Sequence, residues 1–93
     1  MKSIIHDEEQ CFMCGTTLNL HSHHIFGGTA NRRLSEKYGL KITLCARHHN
    51  MSDEGIHFNR DFDLAMKELA QRKFEEKIGS RETFRDIFGK SYL

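Results

Sequence analysis

The strongest hydrophobic periodicity lies in the C-terminal third of the chain. Apolar residues recur there every three or four positions: Phe62, Ala65, Met66, Leu69, Ala70, Phe74 and Ile78. This spacing places them on one face of a helix that packs against a core. We predict that Asn59 or Asp61 caps this helix at its start and that Gly79 ends it.

A second, shorter helix is predicted to follow directly. Ser80 is a typical N-cap residue, Phe84, Ile87 and Phe88 recur at helical spacing, and Gly89 is a typical stop. Because both apolar stripes are needed to build the core of a small protein, we interpret them as packing surfaces rather than as a binding groove.

The first half of the chain shows strand patterns instead. Over residues 18–26 apolar and polar side chains alternate at first, which predicts a short strand that ends at Gly27 and Gly28. Residues 41–44, Lys-Ile-Thr-Leu, predict a second short strand.

The segments around the second strand carry weaker signals. Residues 27–40 are polar and predict a connection with room for a turn of helix, stopped at Gly39. Residues 46–52 predict one or two helical turns that break at Gly55. Together the elements predict a single α+β domain spanning residues 1–93.

The size of the chain and its cysteine content indicate that a cross-link, either a disulfide or a bound metal, stabilises the fold. The chain has 93 residues, of which 38% are hydrophobic, so its core alone provides little stability and a disulfide or a structural metal is expected. Three cysteines cannot all pair with one another. The first ten residues lack the apolar segment of a signal peptide, and nothing approaches the roughly 20 apolar residues of a membrane span. We therefore expect a cytoplasmic protein whose cysteines bind metal.

The distribution of charge is uneven although the net charge is only +1. The segment 31–49 contains one acidic residue, Glu36, and five basic ones: Arg32, Arg33, Lys37, Lys41 and Arg47. Such a basic segment beside a histidine cluster suits a phosphate-bearing partner. The alternative is an ordinary solvated loop.

Two pairs of ligand-type residues have the spacing of a zinc site. Cys11 and Cys14 are separated by two residues, as are Cys45 and His48, and such a gap lets one tight turn present two ligands to a tetrahedral ion. His49 directly follows His48, so the fourth ligand remains open between these two neighbours. The alternative is a set of buried thiols beside a surface histidine.

The segment 21–26, His-Ser-His-His-Ile-Phe, concentrates histidines beside two glycines. A catalytic metal site needs two or three protein ligands and keeps open positions for water and substrate. A hydrolase also needs a general base, for which imidazole is suited near neutral pH. His23 and His24 point to opposite faces of a regular strand, but they can flank one site where the strand ends or bulges.

The order of these groups resembles the HNH endonuclease superfamily, whose fold is the ββα-metal or His-Me finger. The resemblance rests on Cys-Phe-Met-Cys, then Leu-His-Ser-His-His-Ile-Phe-Gly-Gly, then Ile-Thr-Leu-Cys-Ala-Arg-His-His, and it covers residues 11 to about 57. It implies a ββα-metal core with a zinc knuckle, to which residues 59–93 add two C-terminal helices. More loosely, the whole chain resembles small phage-encoded recombination nucleases of this class.

The resemblance also implies roles for individual residues. His23 stands at the position of the first catalytic-metal ligand, His24 at that of the general base, and His49 at that of the final metal ligand. The structural zinc positions are filled by Cys11, Cys14, Cys45 and His48, with the histidine standing where the family usually has a fourth cysteine.

Two parts of the pattern remain open. The family often places an Asn just before the second strand; the nearest candidate here is Asn31, which orients His24 or is simply a turn residue. A third ligand for the catalytic ion comes from Asp53 or His57, unless both are ordinary surface residues. His21 shares a strand face with His23 and is expected to flank the site.

The resemblance implies a metal-dependent endonuclease that hydrolyses phosphodiester bonds, with DNA as the expected substrate and Mg²⁺, Mn²⁺ or a transition metal as the catalytic ion. The basic residues of segment 31–49 would contact backbone phosphates. The alternative is a zinc-stapled nucleic-acid-binding or adaptor module without catalysis; a toxin nuclease with an immunity partner is a third possibility. The C-terminal helices offer a surface for a homodimer or a protein partner.

Overall fold

The structure is a computed structural model that describes residues 3–50 and 55–93. Its elements in chain order are β1 (Leu20–His24), α1 (Thr29–Tyr38), β2 (Lys41–Cys45), α2 (Ala46–His49), a 3₁₀ turn (Ile56–Phe58), α3 (Arg60–Lys77) and α4 (Arg81–Phe88). The predicted α+β class is confirmed at this level, as a two-stranded antiparallel sheet with helices around it.

The two strands pair so that the histidine end of β1 meets the start of β2. His24 lies opposite Lys41, and Leu20 lies opposite Cys45. The strand is shorter than the predicted 18–26: Leu18 is 70% exposed, and Asn19 adopts a left-handed φ of 52°. Strand β1 therefore begins only after Asn19 and ends at His24.

The connection between the strands is a ten-residue helix, α1, where the sequence predicted little more than a turn. Its inward face is small, with Ser35 buried and Leu34 and Tyr38 packed against the core. The Ser35 hydroxyl bonds both the backbone N–H and the carbonyl of Phe26. The sequence did carry a helical pattern here, because Ala30, Leu34 and Tyr38 recur every four residues before Gly39, but the polar residues between them obscured it.

Aromatic side chains from both halves of the chain form the centre of the core. Phe26, which follows β1, lies 5.5 Å from Phe84 between ring centroids, and Phe84 lies 5.3 Å from Phe74 and 4.7 Å from Phe88. The predicted packing role of the C-terminal helices is therefore confirmed. Two members of the α3 stripe do not follow this role, because Ala65 is exposed and Ile78 is 38% exposed.

The predicted caps explain where both C-terminal helices begin and where α4 ends, whereas α3 ends at Lys77 with Ile78 as its C-cap, one residue before the predicted Gly79. Asn59, and not Asp61, caps α3 by accepting a hydrogen bond from the Phe62 N–H. Ser80 caps α4 in the same way through the Thr83 N–H, and Gly89 ends it in a left-handed conformation with φ of 88°. Within the described residues, no helix combines the length and apolar character needed to cross a bilayer.

Candidate functional site

Three cysteines and one histidine converge where the N-terminal turn meets β2 and α2. Their ligand atoms all lie within 4.8 Å of one another. The Cys14 and Cys45 sulfurs are 3.8 Å apart, and His48 Nδ1 lies 3.3 Å from the Cys45 sulfur and 3.7 Å from the Cys11 sulfur. We call these four residues the Cys₃His cluster.

The spacing of these atoms is that of a tetrahedral metal site. Zinc with Zn–S of about 2.3 Å and Zn–N of about 2.0–2.1 Å holds two sulfurs about 3.8 Å apart and sulfur and nitrogen about 3.6 Å apart. A disulfide would require sulfurs about 2.05 Å apart, and all three cysteines are free. The cluster therefore can hold a metal ion such as zinc, as the cysteine spacing predicted, with His48 and not His49 as the fourth residue.

Short local structures present the four ligands. Residues 11–15 form a tight turn in which the Gly15 N–H bonds the Cys11 carbonyl at 2.8 Å, and Gly15 takes the left-handed φ of 75° that this turn needs. The Phe12 N–H bonds the Thr43 carbonyl at 2.8 Å, which fixes the turn against β2. Cys45 ends β2, and His48 follows it on the single turn of α2.

The electrostatics around Cys11 favour the thiolate that a metal ligand requires. Burial raises the pKa of this thiol, but hydrogen bonds from the backbone at Cys45, Cys14 and Met13 outweigh burial and lower the pKa to about 6. Cys11 is therefore largely ionised at neutral pH, before the charge of any metal ion acts on it.

A second convergence joins three histidines from separate parts of the chain. His23 is on β1, His49 is on α2 and His57 is in the 3₁₀ turn, and one ring nitrogen of each lies within 4.8 Å of the others. The Nε2 atoms of His49 and His57 are 3.0 Å apart. The His23 ring centroid lies 5.2 Å from that of His49 and 5.1 Å from that of His57. We call these three residues the trihistidine cluster.

The environment of His23 suits a metal ligand. The residue is only 6% exposed, and its Nε2 is buried with no hydrogen-bond partner among the described residues. Burial, followed by the charges of His49 and His57, lowers the pKa of His23 to about 3. Burial, followed by His57 and His21, likewise lowers the pKa of His49 to about 4. Both rings are therefore neutral at pH 7, so each has a lone pair available, and the donor set fits a metal ion.

His24 lies beside the trihistidine cluster rather than in it. Because β1 ends at this residue, His23 and His24 line the same cleft, which has a volume of about 380 Å³. Glu36 on α1 lies beside His24, with 3.8 Å between Oε1 and the imidazole Nε2. Within residues 3–50 and 55–93, no hydrogen bond joins Asn31 to His24, so it is Glu36 that the structure brings next to this imidazole.

The cleft also contains charged residues that the sequence did not single out. Asp63 and Lys67 of α3 line it together with Arg32 of α1, and the Asp63 and Lys67 side chains form an ion pair at 2.8 Å. Acidic and basic residues four apart are frequent on exposed helix faces, so only the position of α3 along the cleft identifies this pair as part of the site.

The remaining predicted site residues lie outside the two clusters. Arg33 and Lys37 of α1 are exposed and line a second hollow that also includes His24 and Arg32. Lys41 is engaged by Glu36 at 2.5 Å, and this contact lowers the pKa of the Glu36 carboxyl. Arg47 is exposed on α2. Asp53 falls outside the described residues.

Comparison with known proteins gave no relative for this arrangement. No protein-family model, no curated protein and no solved structure matches the chain.

Proposed function

We propose that the protein is a metal-dependent endonuclease of the HNH type, with a ββα-metal core, that hydrolyses phosphodiester bonds in DNA. The observation that carries this proposal is the trihistidine cluster next to a fourth imidazole, His24, together with the buried His23 Nε2, which has no hydrogen-bond partner in the described part of the chain. A zinc-stapled module that only binds nucleic acid needs the Cys₃His cluster but has no use for four imidazoles around one cleft.

The trihistidine cluster provides three nitrogen ligands for one divalent ion. A three-residue set leaves coordination positions for water and for an oxygen of the substrate, as in hydrolytic metal sites. When bound, the ion supplies positive charge for the negative charge that develops on the phosphoryl oxygens and on the departing oxygen. Nitrogen ligands suit Mn²⁺ and transition metals, and Mg²⁺ with several retained waters is also compatible.

His24 is the general base in this proposal. Its Nε2 faces Glu36, which leaves Nδ1 as the nitrogen that takes a proton from the attacking water. The imidazolium that results lies beside the Glu36 carboxylate, whose negative charge stabilises it. Glu36 is in turn held by Lys41 from the start of β2, so α1 and the sheet fix the carboxylate together.

The basic residues around the cleft are suited to the phosphates of the substrate. Arg32 and Lys67 line the cleft from two different helices, α1 and α3. Both can contact phosphate oxygens on either side of the bond to be cut, and such contacts position a nucleic acid without reading its sequence. Arg33 and Lys37 extend the basic surface along α1.

A plasmid-nicking assay with added Mg²⁺ or Mn²⁺ tests the proposal. We expect the parent protein to nick and His24→Ala to nick about 10²–10⁴-fold more slowly, which is the usual contribution of a positioned general base. His6→Gln is the matched control, because His6 bonds the Gln10 carbonyl outside the cleft, and it should nick at the parental rate. If His24→Ala nicks as fast as the parent, the assignment of the base is wrong. If the parent shifts DNA in a gel yet never cuts it, the protein is the binding module instead.

A further inference from the structure

His21 lies next to the trihistidine cluster without belonging to it. It is two residues from His23 on β1, so both side chains project from the same face of the strand. The helix α2 packs against that face, and the His49 ring lies close to both: its centroid is 5.0 Å from that of His21 and 5.2 Å from that of His23.

The two nitrogens of the His49 ring have different partners. Nε2 lies 3.0 Å from Nε2 of His57, whereas Nδ1 lies 2.8 Å from Nδ1 of His21. Two ligand nitrogens at about 2.0–2.1 Å from one ion, with angles between 90° and 110°, are about 2.8–3.4 Å apart. The His49–His57 separation fits a shared ion. The His49–His21 separation lies at the short end of that range and equally fits a hydrogen bond, which needs a proton on one nitrogen and a lone pair on the other.

We propose that His21 is a positioning residue that orients His49 for metal binding, an inference that rests on the proposed metal site. A neutral imidazole that offers its Nε2 lone pair to an ion carries its proton on Nδ1. The Nδ1–H of His49 then donates a hydrogen bond to Nδ1 of His21, and His21 carries its own proton on Nε2. The contact fixes both the tautomer and the ring orientation of His49. Such outer partners of metal-bound histidines commonly account for 10–100-fold in metal affinity.

This assignment differs from making His21 a fourth ligand. The His21 nitrogen faces Nδ1 of His49, which is the nitrogen opposite to the one that faces His57. An ion bound between the two Nδ1 atoms would therefore lie on the far side of the His49 ring from His57, and it would leave the buried Nε2 of His23 without a partner. A single ion held by the Nε2 atoms of His23, His49 and His57 would use that nitrogen.

Two substitutions of His21 separate hydrogen bonding from packing. His21→Phe keeps a ring of similar shape and removes the acceptor, whereas His21→Asn places a carbonyl oxygen near the position of Nδ1. Affinity for Mn²⁺ or Co²⁺ would be measured on full-length protein that carries one equivalent of zinc, with zinc content and circular dichroism as checks of folding. We expect His21→Phe to bind these ions about 10–100-fold more weakly than the parent and His21→Asn to retain most of the parental affinity.

Nitrogen-15 spectra of the ring nitrogens give a readout that a packing role would not move. In parent protein loaded with two equivalents of zinc, we expect protons on Nδ1 of His49 and on Nε2 of His21. In His21→Phe, the His49 Nδ1 proton loses its acceptor and exchanges faster with water. A proton found on Nδ1 of His21 in the loaded parent overturns the inference, and this result does not depend on the folding of any variant.

The outcomes distinguish this inference from the proposed function. If the parent binds a second ion and cuts DNA while His21→Phe has the same affinity as the parent, the role of His21 is wrong and the nuclease stands. If the parent binds no ion beyond that of the Cys₃His cluster, both proposals fall, and the three rings of His21, His49 and His57 form a hydrogen-bonded chain instead.

Discussion

Replacing His23 by phenylalanine should stabilise the protein and abolish metal binding at the trihistidine cluster. The Nε2 atom of His23 is buried without a hydrogen-bond partner among the described residues, and an unsatisfied buried polar atom costs about 1–3 kcal/mol. Phenylalanine removes that atom and keeps an aromatic ring. The rings of His49 and His57 lie edge-on to the His23 ring, with centroid distances of 5.2 and 5.1 Å. Phenylalanine also favours this arrangement.

Urea unfolding of protein with one equivalent of zinc, in the Cys₃His cluster, measures the effect. We expect the free energy of unfolding of His23→Phe to exceed that of the parent by about 1–3 kcal/mol, which corresponds to a Tm increase of at least about 4 °C. Added Mn²⁺ should reverse the order. At a free concentration a thousand times its Kd, an ion that binds only the folded parent stabilises it by about 4.1 kcal/mol, whereas the variant has no site and should not respond.

His57→Phe is the matched control for this experiment. It removes another member of the trihistidine cluster, but His57 is exposed, so no buried polar atom disappears. We expect it to lose the response to Mn²⁺ without any gain in stability before Mn²⁺ is added. The reasoning is refuted if His23→Phe with one equivalent of zinc is less stable than the parent with one equivalent of zinc, or if it still gains stability from Mn²⁺.

The remaining predictions concern the zinc staple and the basic rim of the cleft. Cys45→Ser should abolish the cooperative fold, as should chelation of zinc, because a structural zinc contributes about 10–16 kcal/mol against a typical total stability of about 5–15 kcal/mol; circular dichroism measures the loss. The exposed neighbour variant Met13→Ser should stay folded, and a zinc-free parent that remains folded would contradict the staple. Arg32→Ala should weaken DNA binding and reduce the slope of log K against log salt by about 0.9, measured by fluorescence anisotropy. Arg85→Ala on α4 is the control, and an unchanged slope for Arg32→Ala would remove this residue from the DNA-binding surface.

The parts of the fold that the sequence predicted are those with local signals. The caps at Asn59 and Ser80 and the stripe that contains Phe74 depend on residues within a few positions of one another. The Cys₃His cluster was also accessible, because each half of it is a pair with fixed spacing. By contrast, α1 was underestimated although Ala30, Leu34 and Tyr38 recur at helical spacing. Its buried residue is Ser35, whose bonds to Phe26 form only in the folded protein and leave no mark in the sequence.

The residues of the candidate site likewise include some that local sequence predicted and others that only the tertiary structure identifies. His23, His24 and His49 stood in recognisable segments, but the place of His57 depends on how the chain returns after α2, which spacing does not determine. Glu36 lies next to His24, and Asp63 and Lys67 line the cleft, only because the tertiary structure brings α1 and α3 there. Charged residues on helix faces look alike in a sequence until packing brings some of them to a common site.

The two histidines that end α2 belong to different clusters, His48 to the Cys₃His cluster and His49 to the trihistidine cluster. Their Cα atoms are separated by a single peptide unit of about 3.8 Å. If both clusters hold ions as proposed, an ion bound by His48 would fix the short helix α2 and thereby help to position His49 for the second ion. Zinc shortage would then weaken the second site as well as the first, and with it the proposed nuclease activity.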